Sequence, residues 1–258
     1  MKTRMITRVR SPAKVNLTFK VVRKHDCGFH DIETLMQAVT LSDWVSLSFS
    51  EKDELTCTGL TIPTDASNLA WKALELFRKR TALLNPVSIH IEKNVPTQAG
   101  LGGGSSNAAT TLFAINALFN HSVDEKTLQM WSSEIGSDVP FFFSEGTALC
   151  SGRGDIVTNC LPPAEMPHWI AKPKLLHLST PAVYNVCIPG ESLEPAAIRV
   201  LPELIEIKRK LFTAGFDHVS MTGSGSAFVC YGDLQPEVEG VDFYPFAPLR
   251  KKAGEWYT

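Results

Sequence analysis

The stretch Pro96-Thr97-Gln98-Ala99-Gly100-Leu101-Gly102-Gly103-Gly104-Ser105-Ser106 joins a short strand pattern, Val87 to Glu92, to a helical one, Ser105 to Phe119. Glycines let the backbone turn tightly and bring its N–H groups to an anion. A helix opening at Ser105 adds N–H groups without intrahelical partners and the positive end of its dipole. The chemistry such a loop supports is phosphate binding. A flexible Gly/Ser linker has similar composition, but this stretch is wedged between a strand and a helix. Two other phosphate loops are excluded. A Walker A loop ends in Gly-Lys-Ser/Thr, whereas Gly104 is followed by Ser105-Ser106. A dinucleotide fingerprint is G-x-G-x-x-G in an opening βαβ unit, whereas here Gly100-x-Gly102 leads to Ser105, far from the N-terminus.

The loop resembles the P-x-x-x-G-L-G-S/G-S-S pattern of the GHMP kinases. Two further segments resemble the same superfamily in the expected order: Pro12-Ala13-Lys14-Val15-Asn16-Leu17 near the start and Met221-Thr222-Gly223-Ser224-Gly225-Ser226-Ala227 near the end. Gly28-Phe29-His30 with Asp31 to Thr34 after it, and Gly136-Ser137-Asp138-Val139-Pro140-Phe141-Phe142, narrow the likeness. They resemble the 4-diphosphocytidyl-2-C-methylerythritol kinase family, and the likeness runs from Arg8 to Trp256-Tyr257. Homoserine, mevalonate and galactose kinases share the glycine loop without a Gly-aromatic-His element at this place.

What the resemblance implies can be stated residue by residue. The reaction is transfer of the γ-phosphoryl of ATP to the 2-hydroxyl of the cytidyl substrate, in the non-mevalonate pathway to isoprenoids. Asp138 is implied as general base, with Lys14 beside it orienting the hydroxyl and offsetting charge on the moving phosphoryl. Asp138 also reads as a helix cap ahead of Val139-Pro140, and Lys14 as a solvated strand residue. The ATP site is implied at Pro96, Gly100, Leu101, Gly102, Gly103, Gly104, Ser105 and Ser106, with Asn68 and Lys93 at the adenosine end. Mg²⁺ is expected with the phosphates, and no dedicated protein metal site. His30 is implied to read the cytosine edge while Phe29 and Tyr184 sandwich the ring. Asn16, Thr180, Pro181, Gly223 and Ser224 are implied at the rest of the substrate. The plain alternatives are core packing for the aromatics and a satisfied structural histidine.

The chain departs from the family pattern in three places. Thr97-Gln98-Ala99 stands where the loop usually reads Met-Gly-Gly, so added side chains are expected to narrow or stiffen the phosphate pocket. Phe29 replaces the usual tyrosine, keeping the stack and losing a hydroxyl. Between Ile188 and Leu193 only Pro189-Gly190-Glu191-Ser192 stands where the family usually carries a longer segment ending in Asn-Asp-Leu-Glu; a true deletion there, as against a mobile loop left out of the sequence, puts part of the second domain's wall in doubt. Two other readings therefore stay open: a kinase for another small alcohol of homoserine or mevalonate type, and a non-catalytic nucleotide-binding protein on the same fold.

The elements that must position these residues read as α+β. Val15 to Val22, Glu33 to Val39 and Trp44 to Phe49 carry strand patterns, and Asn68 to Arg80 a helical one. Ser122-Val123-Asp124-Glu125 has the capping-box form of a helix ending near Gly136. A strand over Pro173 to His177, a helix over Leu193 to Thr213 that Pro202 kinks or starts, and a strand over Phe228 to Tyr231 follow. Gly, Ser and Pro concentrate between Ser151 and Pro167, which places a boundary between 1–152 and 153–258. The resemblance gives these halves as a ribosomal-protein-S5-like α/β domain and a ferredoxin-like α/β domain with the active site in the cleft. Arg153-Gly154-Asp155 reads as a turn.

A formal charge of -2, from 25 basic and 27 acidic residues, gives no reason to expect nucleic acid or an anionic membrane as partner. The cluster Arg250 to Lys252 reads as a solvated tail. No run of apolar residues is long enough to span a bilayer, and the first residues lack the apolar core of a secretory signal. The six cysteines have neither metal-ligand nor CxxC spacing, which suits reduced thiols in the cytoplasm. Oligomeric state is left open between monomer and weak homodimer.

Overall fold

A computed structural model of the chain describes residues 5–232 and 236–258. Ten strands form two sheets: β1 (Met5–Lys24), β2 (His30–Phe49), β3 (Glu54–Gly59), β4 (Val87–Lys93), β5 (Thr147–Ser151) and β6 (Ile156–Asn159) in the first, then β7 (Trp169–Pro173), β8 (His218–Met221), β9 (Phe228–Tyr231) and β10 (Val241–Pro245) in the second. Six helices accompany them: α1 (Leu69–Thr81), α2 (Gly103–Leu118), α3 (Glu125–Ser132), α4 (Thr180–Val186), α5 (Leu193–Val200) and α6 (Leu204–Thr213). The first sheet runs on to Asn159, past the boundary expected after Gly152. Trp256 and Tyr257 return from the C-terminus to its core.

β2 is the spine of the first sheet. It pairs antiparallel with β1 along nearly its whole length, with β4 at one end of its other edge and with β5 at the other end. β1 keeps this pairing only by slipping register, between Pro12 and Ala13 and again between Asn16 and Thr18. Such bulges re-aim side chains. They lie on either side of Lys14 and Asn16, which the two-residue strand period puts on one face. α1 and α2 cover the first sheet through Ala73, Leu74, Phe77, Leu112 and Ile115, all fully buried. The second sheet has the order β10-β7-β9-β8, and α4, α5 and α6 pack on it. A third cluster, with Ala13, Val15, Ala99 and Leu101 from one side and Ile170, Ala227 and Val229 from the other, joins the sheets.

Local chemistry moves several expected boundaries. Pro202, which lacks an N–H and crowds the preceding turn, splits the expected long helix into α5 and α6. The cap of α3 is Asp124 rather than Ser122, its carboxylate accepting from Thr127 N at 2.9 Å. Asn116 Oδ1 accepts instead from the Val123 N–H at 3.0 Å, in the segment leading to that cap. β7 ends at Pro173, where the expected strand began, and Lys174 N still donates to Gly240 O beyond it. Arg153-Gly154-Asp155 is a turn, closed by Gly154 N to Ser151 O. The C-terminal basic cluster is solvated at Arg250 and Lys252 but not between them: the Lys251 side chain is buried, paired with Glu125 and set over Trp256 and Tyr257. All six cysteines are free thiols.

Candidate active site

Lys14 donates its backbone N–H to Leu101 O at 2.9 Å, so the glycine loop is laced directly to β1. Gly102 sits at φ +66 as the residue before α2 and offers no side-chain cap; no acidic residue occupies the first turn. The first N–H groups of α2 are therefore left for an anion. A Cβ at Gly102 would lie 2.9 Å from Lys14 Cγ, and one at Gly100 (φ +74) 2.2 Å from the Thr222 carbonyl oxygen. Glycine is required at both for the loop to lie this close to the lysine and to the Met221–Ala227 turn.

A cavity of about 450 Å³ opens in front of the loop. Pro96, Gly100 to Gly104 and Ser105 line it, together with Lys14 and Asp138. Lys14 Nζ lies 3.4 Å from Asp138 Oδ2 and donates to Asn16 Oδ1 at 2.7 Å. Asp138 is not a helix cap; Val139 precedes the following 3₁₀ turn, and no side chain caps it. The Asp138 charge also reaches Tyr184 and Cys150. Both are pushed up mainly by burial and secondarily by that carboxylate, Cys150 to about 12. On the far side, Asn16, Thr180, Tyr184, Gly223 and Ser224 line the same cavity, with Phe19, Ile32, Met36 and Leu193 as its apolar wall. The hydroxyls of Thr180 and Ser224 are 2.8 Å apart.

Other expected residues are placed differently. Asn68 lines the cavity but spends its side chain as the cap of α1, accepting from Ala70 N and donating to Pro63 O. Lys93 reaches the cavity wall, yet its ammonium is buried against Asp43 Oδ2 at 2.6 Å and Val95 O at 2.8 Å, beneath Gly103. Ser106 is fully buried below the loop and accepts from the Ser11 hydroxyl. Phe29 is 57% exposed, lies outside the cavity wall, and has the Arg153 guanidinium 5.4 Å over its ring. His30, also outside that wall, pairs with Tyr184 instead, ring centroids 5.2 Å apart. Burial first, then the Lys24 charge, lowers its pKa below the usual 6.5, and its buried Nε2 has no partner among the described residues. Pro181 is exposed and does not line the cavity.

The added loop side chains, Gln98 and Ala99, both stay on the cavity wall. Gln98 takes the left-handed region (φ 51) and is exposed, while Ala99 is buried in the cluster joining the two sheets. The short Pro189–Ser192 link docks onto β1, Gly190 N donating to Val21 O and Val21 N to Glu191 O. It delivers Leu193 to the cavity wall.

Sequence reasoning missed Asp43, which is fully buried. It accepts from Asn94 N, Val95 N, Asn107 Nδ2 and Lys93 Nζ, and so pins both ends of the glycine loop. An acidic residue between the apolar positions Leu41 and Val45 was the available signal. Thr34 and Thr222, both fully buried around Asn16, carried no signal beyond standing in the quoted segments.

Residues 68–146 match the GHMP kinases N terminal domain. The chain is 42% identical, over 97% of its own length and 93% of the relative's, to the 4-diphosphocytidyl-2-C-methyl-D-erythritol kinase of Protochlamydia amoebophila. It belongs to the family of 4-diphosphocytidyl-2-C-methyl-D-erythritol kinases. A crystal structure of a 4-(cytidine 5'-diphospho)-2C-methyl-D-erythritol kinase superposes with TM-score 0.73 at 31% identity, covering 88% of this chain and 90% of the other. Homoserine kinase from Cytophaga hutchinsonii superposes with TM-score 0.72 at 18% identity over 96% of both chains, which shows the shared α+β kinase fold. Family membership thus separates this chain from the homoserine type, which the fold alone does not.

Proposed function

We propose that the chain transfers the γ-phosphoryl of ATP to the 2-hydroxyl of 4-diphosphocytidyl-2-C-methyl-D-erythritol, a step of the non-mevalonate route to isoprenoid precursors, in the cytoplasm. The observation that carries the reading is the Lys14–Asp138 pair, 3.4 Å apart, in one cavity with the open N-terminus of α2. Asp138 takes the proton from the acceptor hydroxyl as it attacks. Lys14 orients that hydroxyl and offsets charge on the phosphoryl as it moves. Phosphoryl transfer asks for positioning and charge neutralisation more than covalent chemistry. The backbone N–H groups from Gly102 to Ser105 supply a fixed positive field for the ATP phosphates.

The donor set suits Mg²⁺ arriving with the nucleotide. Among the described residues no group of three or more His, Cys, Asp or Glu could hold a metal by itself. Ser105 and Asp138 are hard oxygen donors on the cavity wall. They would hold the ion, which when bound neutralises charge on the phosphate oxygens.

The cytosine ring enters past Tyr184, with His30 reading its edge through the free Nε2 and Phe29 closing the outer side. Support for this end is the unpartnered nitrogen, a buried donor or acceptor that a base edge would satisfy.

The test is ADP release with ATP and Mg²⁺ in the presence of the cytidyl substrate, homoserine or mevalonate. Turnover with the cytidyl substrate alone is expected. Equal turnover with a plain alcohol would overturn the substrate reading, and ATP binding without turnover would overturn the catalytic one.

A further inference from the structure

Asn16 is 3% exposed and sits between Lys14 and two threonines that no motif assigns a role. Its Oδ1 accepts from Lys14 Nζ at 2.7 Å, and its Nδ2 donates to Thr34 Oγ1 at 2.7 Å. Thr34 Oγ1 in turn donates to the backbone carbonyl of Thr18 at 2.6 Å. Thr222 Oγ1 accepts the backbone N–H of Asn16 at 2.9 Å and lies 3.4 Å from Oδ1. Thr34 and Thr222 are both fully buried, so no solvent competes for these bonds.

The polarity of this chain is forced from its far end. A carbonyl can only accept, so the one hydroxyl proton of Thr34 goes to Thr18 O. Toward Asn16 the hydroxyl then has only lone pairs left, and it must face the amide NH₂. The carbonyl end of the amide is thereby turned to Lys14, whose ammonium has only protons to give. A flipped amide would set donor against donor at the lysine and leave the Thr18 carbonyl unserved. The bulge between Asn16 and Thr18 in the β1–β2 ladder is what brings the Thr18 carbonyl and the Thr34 hydroxyl together.

We infer that Thr34 is a positioning residue: through the Asn16 amide it fixes the Lys14 ammonium against Asp138. This goes beyond the proposed function and rests on it only for the identity of the reaction whose rate is read. Because Thr34 does not line the cavity, its effect falls on kcat rather than on either KM.

Four proteins test it: Thr34→Val, which keeps the shape and loses the hydroxyl, Thr34→Ser, Asn16→Ala, and the Asn16→Ala/Thr34→Val double variant. Thr34→Val lowers kcat about 10- to 100-fold with both KM values within about threefold, as expected for a displaced reacting group. Thr34→Ser restores kcat to within about threefold of the parent, because the hydroxyl is regained. In the Asn16→Ala background, Thr34→Val has no further effect on kcat, because the residue it acts through is gone. An unchanged kcat in Thr34→Val, or an undiminished loss in the Asn16→Ala background, overturns the inference.

A second readout needs no turnover and so separates this inference from the choice of substrate. In protein labelled with ¹⁵N-asparagine, the signal lost in Asn16→Ala identifies the Asn16 side-chain amide. That signal shifts in Thr34→Val and stays in place in Thr34→Ser. An amide signal indifferent to Thr34→Val overturns the inference even if every variant is inactive.

Discussion

The Lys14 side chain is 4% exposed while that of Asp138, its carboxylate 3.4 Å from the ammonium, is 32% exposed. The pair is therefore asymmetric: the lysine is fixed in the wall by Leu101 O at its backbone and Asn16 at its tip, and the carboxylate faces the cavity. That is the arrangement a proton acceptor needs, since the acceptor hydroxyl must reach the carboxylate to give up its proton. Asp138→Asn is expected to retain ATP binding by calorimetry and to lose on the order of 10²–10⁴ in kcat. Near-normal kcat in ADP-release assays would remove Asp138 from the role of base.

The loop is held from below by a second, fully enclosed pair. Lys93 Nζ and Asp43 Oδ2 are 2.6 Å apart with side chains 3% and 0% exposed. Lys93→Met leaves the Asp43 carboxylate buried without its ammonium, although three N–H donors still reach it. Breaking a buried pair from one side costs about 3–5 kcal/mol, which in a chain of this size lowers Tm by roughly 10 °C. A Tm within about 2 °C of the parent, less than one kcal/mol, would show that the three remaining N–H donors satisfy Asp43.

His30 offers a different kind of test because its pKa is lowered, chiefly by burial. The neutral ring is the form present above the lowered value, so reading of a base edge persists from pH 8 down past the ordinary 6.5 and fails only as the ring takes up a proton below that. KM for the cytidyl substrate is expected to stay flat across that upper range and to rise below it. His30→Ala raises this KM about tenfold or more and abolishes its rise at low pH, leaving KM for ATP unchanged. Equal effects on both KM values would separate His30 from the pyrimidine.

How far the sequence foretold these positions depended on whether a residue belongs to a contiguous motif. The glycine loop, Lys14 and Asp138 lie on one cavity wall, the loop and the strand bearing Lys14 being joined by the bond from the Lys14 N–H to the Leu101 carbonyl. Asp43 and Thr34 were illegible because their partners come from distant segments. Asp43 draws in Asn107, and Thr34 bonds to Thr18 across a bulge that no periodicity foreshadows. Lys93 was legible as a residue near the site but not in its role, since the sequence did not reveal the buried carboxylate waiting for it. Two helix boundaries turn on a single residue each, and the sequence singled out the proline but not the cap. Pro202 breaks α5 from α6, and Asp124 rather than Ser122 closes the first turn of α3.

Acid sensitivity is expected from the Asp53–Arg78 pair at the edge of the first sheet. Arg78 donates to both carboxylate oxygens, at 2.6 and 2.7 Å, and the Val87 N–H adds a third bond. The guanidinium bonds hold Asp53 below its ordinary 3.8. A lowered folded-state value means the pair's stabilisation is complete above about pH 4 and is lost as pH falls through the folded value. Asp53→Asn should therefore lower Tm at pH 7, and the gap from the parent should narrow toward pH 3. A gap independent of pH would assign the effect to lost packing rather than to charge.

The glycines of the loop divide by what stands in front of them, and this separates fold from binding. At Gly100 an added Cβ meets the Thr222 carbonyl oxygen at 2.2 Å with φ at +74, so backbone must move on both sides of the cleft. At Gly104 the nearest atom is Leu69 Cδ1 at 3.7 Å, the end of a flexible side chain, in a helical residue. Alanine is favoured over glycine in a helix by up to about 1 kcal/mol. Gly104→Ala is thus expected to keep or slightly raise Tm, and Gly100→Ala to lower it by several degrees and to weaken ATP binding as the two sides of the cleft separate. Equal Tm values for the two variants would mean that the loop yields to a side chain at Gly100, and that its close approach to Thr222 does not hold the phosphate site in shape.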